Sequence, residues 1–436
     1  MDTIRHIDRL ILFDKVRSDE TAALLTELVR STSTVAGPEK AALEAFYKIQ
    51  RALLTYMGRG EISGNYLQDH FCRLLAGDEN VFTGMAEAGV FKNLKPGVSP
   101  QDLKASLSGE AEAILLLAAN EIKFISEIYR FDFSRYKKAA DEYDLTAIPV
   151  SNRENLSHRE LIHEAMSQGD SLDAAIMLSR YYHSYGSGVF QVSPALNASG
   201  GELVPVRFVD PISMDDLVGC ESQKRMLIDN IDILLSGLTA NNVLLYGDSG
   251  TGKSSAVKAL LNMYASRGLK MISVSKDSLS SLPAILDTIA ERGMKFIIFI
   301  DDLSFEENEH EYKAFKSLIE GRVTPRPKNT IFIVTTNRKN IVKEVWRDRE
   351  DQDDVRKRDN IQEKRSLADR FGITLIFPSP DKQEYLAIVR SIAERSGLAM
   401  PDDELVSEAL LWELRHGGRS GRAARQFVDY MAGMRR

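Results

Sequence analysis

Cysteine is almost missing from this chain, with two in 436 residues. Cys72 and Cys220 lie far apart in unrelated contexts, which excludes a disulfide framework and predicts two free thiols in a reducing compartment. Long apolar runs are missing too. The longest, Ala113 to Ala119, is followed at once by Glu121 and Lys123, and it falls far short of the ~20 residues a membrane span needs. The opening residues, Met1 to Asp8, lack the basic-then-apolar pattern of a signal peptide. No excess of positive charge exists: the formal net charge is −7, which argues against a chain whose main task is wrapping nucleic acid, though a local basic face stays compatible with it. No period of 20 to 50 residues recurs. What remains is 43% hydrophobic and 27% charged, an ordinary globular composition. A length of 436 residues exceeds one compact core and predicts two or three domains. The expected location is cytoplasmic, with no membrane partner.

The chain divides into four stretches. Residues 1–185 read as helical, because apolar residues recur at helical spacing, as in Ile114, Leu117, Ala118, Ile122, Ile125 and Tyr129. Phe131 to Lys138 mixes aromatics with bases and reads as a helix with an aromatic core stripe rather than a nucleic-acid surface. His158 and His163 sit five apart, one residue too many for a metal pair on a helix, and read as surface or packing residues. Residues 186–211 read as a linker, rich in glycine, serine and proline. Residues 212–378 read as an α/β domain. Apolar, β-branched runs at Val243–Tyr246, Met271–Val274, Phe296–Ile300, Ile331–Val334 and Ile373–Phe377 predict a five-stranded parallel sheet with helices on both faces. Residues 379–436 read as a small helical lid. Leu386, Val389, Ile392 and Ala393 form one stripe there, and Gly397 is a stop signal.

Against that background one motif stands out. Gly247, Asp248, Ser249, Gly250, Thr251, Gly252, Lys253 and Ser254 fit G-x-x-x-x-G-K-[ST], the phosphate-binding loop of nucleoside triphosphatases. A predicted strand precedes it and a predicted helix follows, beginning near Ser255. The glycines let successive backbone N–H groups turn inward onto phosphate oxygens. The helix presents its positive end to the same anion. Lys253 is placed to reach the outer phosphates, and the Ser254 hydroxyl to complete a Mg2+ shell.

About fifty residues on, the run Phe296–Ile300 ends in Asp301 and Asp302. An acid at the carboxyl end of a strand beside a phosphate loop suits Mg2+ coordination by Asp301. Asp302 is then the group to polarise an attacking water. Asn337 ends the run from Ile331. It can hydrogen-bond that water or a γ-phosphate, or it can be a turn asparagine.

The order of these elements resembles the AAA+ ATPase superfamily over residues 212–436. Ser213 to Gly219 resembles its opening segment, which implies base contacts at Val218 and Gly219. Gly247–Ser254 resembles Walker A, extended by Ser255 as a further nucleotide contact, and Asp301-Asp302 resembles Walker B. Asn337 falls on sensor 1. Ala368-Asp-Arg370-Phe-Gly372 is similar to the stretch in which Holliday-junction motor ATPases carry an arginine finger. Arg370 is read as that finger, with an ion pair to Asp369 as the competing reading. Gly418 to Arg425 resembles the entrance of the sensor 2 helix, where Arg422 and Arg419 compete and Arg422 is preferred. Within AAA+, the chain looks most like an uncharacterised bacterial family with a helical amino-terminal half of unknown role. The resemblance implies ATP rather than another nucleotide, Mg2+, and a homo-oligomeric, hexameric ring.

Two departures qualify it. AAA+ proteins usually have glutamate where Asp302 stands; aspartate is one methylene shorter, so the base either sits too far from the water or needs a shifted backbone, and turnover is expected to be slow or lost. Ser275 to Pro283 carries no aromatic where protein-threading members have a pore loop. The charged stretch Trp346 to Asp359 reads as a solvated loop or helix. The reading is an ATP-hydrolysing remodeller of an unidentified macromolecule, a protein in preference to a nucleic acid, recognised by residues 1–185. The alternatives are a nucleotide-dependent switch or scaffold with little turnover, and a DNA-associated motor.

Overall fold

The computed structural model describes residues 7–31, 40–54, 65–133, 159–303, 315, 326–337, 371–416 and 418–435. They fall into two units, one of residues 1–192 with 291–294, the other of residues 193–290 with 295–436.

The first unit is helical. Its longest described helix, Gly109–Tyr129, starts at Ser108, whose side chain accepts from the Ala111 amide. Asn65 and Asn80 close capping boxes at two shorter helices. The predicted stripe turns inward: Ala118, Ile122, Ile125 and Tyr129 are buried, and Ile114 and Leu117 pack at the edge of the same core. Glu121 is buried among them and accepts the Ile11, Leu12 and Phe13 amides at 2.7–3.2 Å. A buried carboxylate is tolerable here because backbone donors solvate it. The helix stops at Tyr129, so Phe131 and Phe133 are not helical as expected. Arg130 leaves the helical path, its guanidinium donating to the Met166 carbonyl at 2.8 Å, and the two phenylalanines stack edge-to-face at 4.8 Å. Residues 134–138 and His158 lie outside the described residues. His163 packs on the Tyr129 ring and bonds its hydroxyl.

The second unit is built on a sheet. Its strands are β1 (Ala195–Ser199), β2 (Glu202–Pro205), β3 (Val243–Gly247), β4 (Leu269–Ser273), β5 (Lys295–Ile300), β6 (Thr330–Thr336) and β7 (Ile373–Phe377). The order is β2-β1-β4-β5-β6-β3-β7. All five predicted strands are present and parallel. Continuous burial along β5 and β6 explains their unbroken apolar runs, since helices cover both faces. The expected linker at 186–211 needs correction. It contributes the β1–β2 hairpin, with β1 parallel to β4 and β2 antiparallel to β1. Gly200 and Gly201, at φ 60° and 89°, make the two-residue turn whose hand suits twisted strands. A Gly-Gly pair there was a hairpin signal, not only a flexible one.

Consecutive strands β3 and β4 lie on opposite sides of β5 and β6. Such a reversal opens a crevice at the carboxyl ends of the strands. The lid helices Lys382–Arg395, Asp402–His416 and Gly421–Met434 share their own core, in which all four residues of the predicted stripe are buried. The first of them ends at Arg395 and is capped by Ser396, just before Gly397 with φ 67°.

Gly247 pairs with Phe377 across β3 and β7, and a Cβ there would stand 2.0 Å from the Phe377 carbonyl oxygen. Gly247→Ala is expected to destabilise the second unit by about 1–3 kcal/mol, the usual cost of forcing atoms into a packed position. A shift in the denaturant midpoint checks this.

Candidate functional site

The cleft at the carboxyl ends of the strands encloses about 880 Å³. The 247–252 loop forms its floor. Thr251 Oγ1 donates to the Asp248 carbonyl at 2.9 Å, and Gly252 takes a left-handed turn at φ 98° into helix Lys253–Tyr264. That helix therefore starts at the cleft, a favourable position for an anion.

Lys253 is only 5% exposed. Its ammonium donates to the Gly247 and Asp248 carbonyls at 2.9 and 2.7 Å and to Asn337 Oδ1 at 2.7 Å. Burial pushes its pKa below the ordinary lysine value, while Asp301, Asp302 and Asp248 pull it back up. Asn337 Nδ2 donates in turn to Asp302 Oδ1 at 2.8 Å. One amide thus spans the cation and an acid, which a simple turn asparagine would not do. Ser254 Oγ donates to Asp301 Oδ1 at 2.6 Å.

The sheet order explains the convergence. β6 lies between β5 and β3, so its end, Thr335 to Asn337, sits between the acids after β5 and the loop after β3. Asp301 and Ser254 offer only oxygen donors. One carboxylate and one hydroxyl fit Mg2+, which keeps waters and substrate phosphates as its other ligands. Among the described residues no three His, Cys, Asp or Glu side chains cluster into a fuller cage.

The lid closes the other side. Arg422 Nη1 donates to Ser249 Oγ at 3.2 Å, and the Gly421 amide donates to the Gly250 carbonyl at 3.0 Å. Arg419 is instead paired with Glu413 at 2.9 Å. Geometry thus puts Arg422 at the cleft. Val218 and Gly219 line the cleft with Ile388 and Ile392 of the lid, an apolar edge suited to a flat ring. Ser255 also lines it. Arg370 and the stretch from Trp346 to Asp359 lie outside the described residues.

Residues 191–435, more than half of the chain, match the family described as "protein of unknown function (DUF815)". The chain belongs to this family. The DUF815 segment takes in the β1–β2 hairpin, the sheet and the lid. No curated protein is similar to it in sequence. Among solved structures, the Thermotoga maritima RuvB Holliday junction branch migration motor is 19% identical, with a TM-score of 0.35, covering 52% of this chain and 66% of its own. The Aeropyrum pernix Orc1 protein in complex with DNA is 18% identical, with a TM-score of 0.39, covering 50% and 62%. The DUF815 chain spans just under two thirds of their length. Its fold is a mostly parallel sheet with helices, in which the 247–254 loop follows a central strand and leads into a helix.

Sequence reading missed Thr335, Ser379, Arg425 and Ile388. Ser379 Oγ donates to Asp248 Oδ2 at 2.6 Å, and Arg425 lines the cleft one helical turn beyond Arg422. The i, i+3 spacing of the two arginines was a usable signal. Thr335 carried one as well, since it lies two residues before Asn337 and so on the same strand face. Lys276–Ser281 forms a short 3₁₀ helix after β4, tied back by Ser278 Oγ to the Ala198 carbonyl at 3.3 Å.

Among the described residues no helix is long and apolar enough to cross a membrane.

Proposed function

We propose that this chain binds and hydrolyses ATP with Mg2+ as part of a homo-oligomeric ring that remodels a macromolecular partner. The observation that carries the reading is the convergence of Lys253, Ser254, Asp301, Asp302, Asn337 and Arg422 on one cleft. Loop amides, Lys253 and Arg422 hold the triphosphate. Val218, Gly219, Ile388 and Ile392 hold the base. Ser254 and Asp301 hold Mg2+, which when bound neutralises phosphate charge. Asp302 accepts a proton from the attacking water as the water oxygen bonds to the γ-phosphorus, and the bond to the bridging oxygen breaks to release ADP and phosphate. Asn337 orients Asp302 and links it to Lys253.

A protein partner is favoured over nucleic acid, since the net charge is −7 and nucleic-acid binding rests on basic surface. Residues 1–185 are the proposed recognition region.

The test is ATP hydrolysis with Mg2+ over a protein-concentration series. Activity per subunit that rises with concentration supports an assembled ATPase. Tight binding without turnover leaves a nucleotide-dependent switch. A steep loss of DNA affinity with salt would favour a DNA-associated motor. Lys253→Ala is expected to weaken ATP binding about 10- to 100-fold, as loss of charge-assisted hydrogen bonds does. Titration with a fluorescent ATP analogue checks this.

A further inference from the structure

Asp301 and Asp302 are consecutive, and in a regular strand consecutive side chains point to opposite faces. Both nevertheless face the cleft, Asp301 bonding Ser254 and Asp302 bonding Asn337. The cause is a left-handed residue: Asp302 has φ 51°. Among the described residues, only Cys220 is another non-glycine at positive φ. Such a conformation is uncommon for a residue with a side chain and persists where neighbours enforce it.

The enforcing neighbour is Thr335. Ile300 lies beside Val334 in the β5–β6 register, so the next residues, Asp301 and Thr335, are adjacent. Thr335 Oγ1 donates to Asp301 Oδ1 at 2.6 Å and accepts from the Asp302 amide at 2.8 Å. Its carbonyl accepts from the Leu303 amide at 2.8 Å. A hydroxyl has one proton and two lone pairs, and this one uses both capacities on the two acids. Three successive residues after β5 are thereby fastened to a single residue that is 1% exposed.

We infer that Thr335 is a positioning residue for both acids, and that the left-handed backbone it holds at Asp302 replaces the reach of a longer glutamate side chain. This rests on the ATP-hydrolysing reading above. Asp302 is then not a weakened glutamate but an aspartate delivered by a turn.

The experiment compares Thr335→Val, which keeps the shape and removes the hydroxyl, with Thr335→Ser, which keeps the hydroxyl. Turnover and the Mg2+-dependent gain in ATP affinity are both read. Thr335→Val is expected to lose about 10- to 100-fold in each, as loss of an outer-shell partner does. Its Mg2+-free ATP affinity is expected to stay within about twofold of native, and Thr335→Ser to restore the losses. Asp302→Glu, with its longer arm on the same backbone, is expected to turn over about tenfold slower, since misplacement by ~1 Å is costly. Native turnover and Mg2+ dependence in Thr335→Val, or faster turnover in Asp302→Glu, would overturn the inference. Should Thr335→Val fail to fold, Thr335→Ala removes the same hydroxyl with less bulk and is read the same way. If the native protein hydrolyses nothing, the ATPase reading fails by itself. The Mg2+-dependent affinity then decides: weakened in Thr335→Val and restored in Thr335→Ser supports Thr335, unchanged overturns it.

Discussion

Asp302→Asn is expected to lower ATP turnover by about 10²- to 10⁴-fold, the span general-base catalysis supplies, while ATP affinity holds within about threefold. The substitution suits this backbone. Asparagine tolerates the left-handed region as aspartate does, so the φ of 51° at this position is kept. Its side-chain oxygen still accepts from Asn337 Nδ2, now 2.8 Å from Asp302 Oδ1. What disappears is the ability to take a proton. A structural role for Asp302 would show as a lower melting temperature and weaker binding; a base role shows as lost turnover alone. Single-turnover phosphate release beside a nucleotide titration separates the two. Turnover within threefold of native would move the base to another group.

The fold was readable where one physical requirement dominates. The short, β-branched apolar runs of β5 and β6 suited strands covered on both faces, and both are buried nearly throughout. The phosphate-loop motif was readable because its glycines, lysine and serine each meet a different demand: a tight turn, the charge of the outer phosphates and a Mg2+ shell. The β1–β2 hairpin was not, because Asn197 to Gly201 has the small polar composition of both a linker and a tight turn. Only its pairing with β4 distinguishes them. Thr335 could be placed on the same face as Asn337, but its contact with the acids could not. A buried threonine in a strand is ordinary β chemistry, and its function depends on register with β5, which sequence does not state. Asp302 is the clearest case. Its short side chain called for either a base out of reach or a shifted backbone, and the φ of 51° there is a property of backbone and neighbours together.

Arg370→Ala is expected to lower turnover by about 10³-fold or more, the span attributed to an arginine finger, with binding little changed. An arginine finger acts on the site of a neighbouring subunit. β7 runs parallel to β3 with Ile373 beside Val243 and Phe377 beside Gly247. Its first residue is therefore at the sheet edge opposite the 247–254 loop. A Cβ on Gly372 would meet Asn241, which leads into β3 at that same edge. Five strand residues, Ile373–Phe377, span about 13–17 Å at ~3.3 Å each. Arg370 itself lies outside the described residues, so whether it serves its own or a neighbouring cleft is a question for mixed chains. Mixing distinguishes the two geometries. Arg370→Ala and Asp302→Asn chains are each expected to be inactive alone. Mixed, they regain activity if a chain with intact Asp302 receives Arg370 from a neighbour. A mixture as inactive as its components would place Arg370 within its own subunit, and a native rate in Arg370→Ala alone would remove the finger altogether. Recovery would make the ring part of the active site rather than its container, because no isolated chain would hold a complete set of catalytic groups.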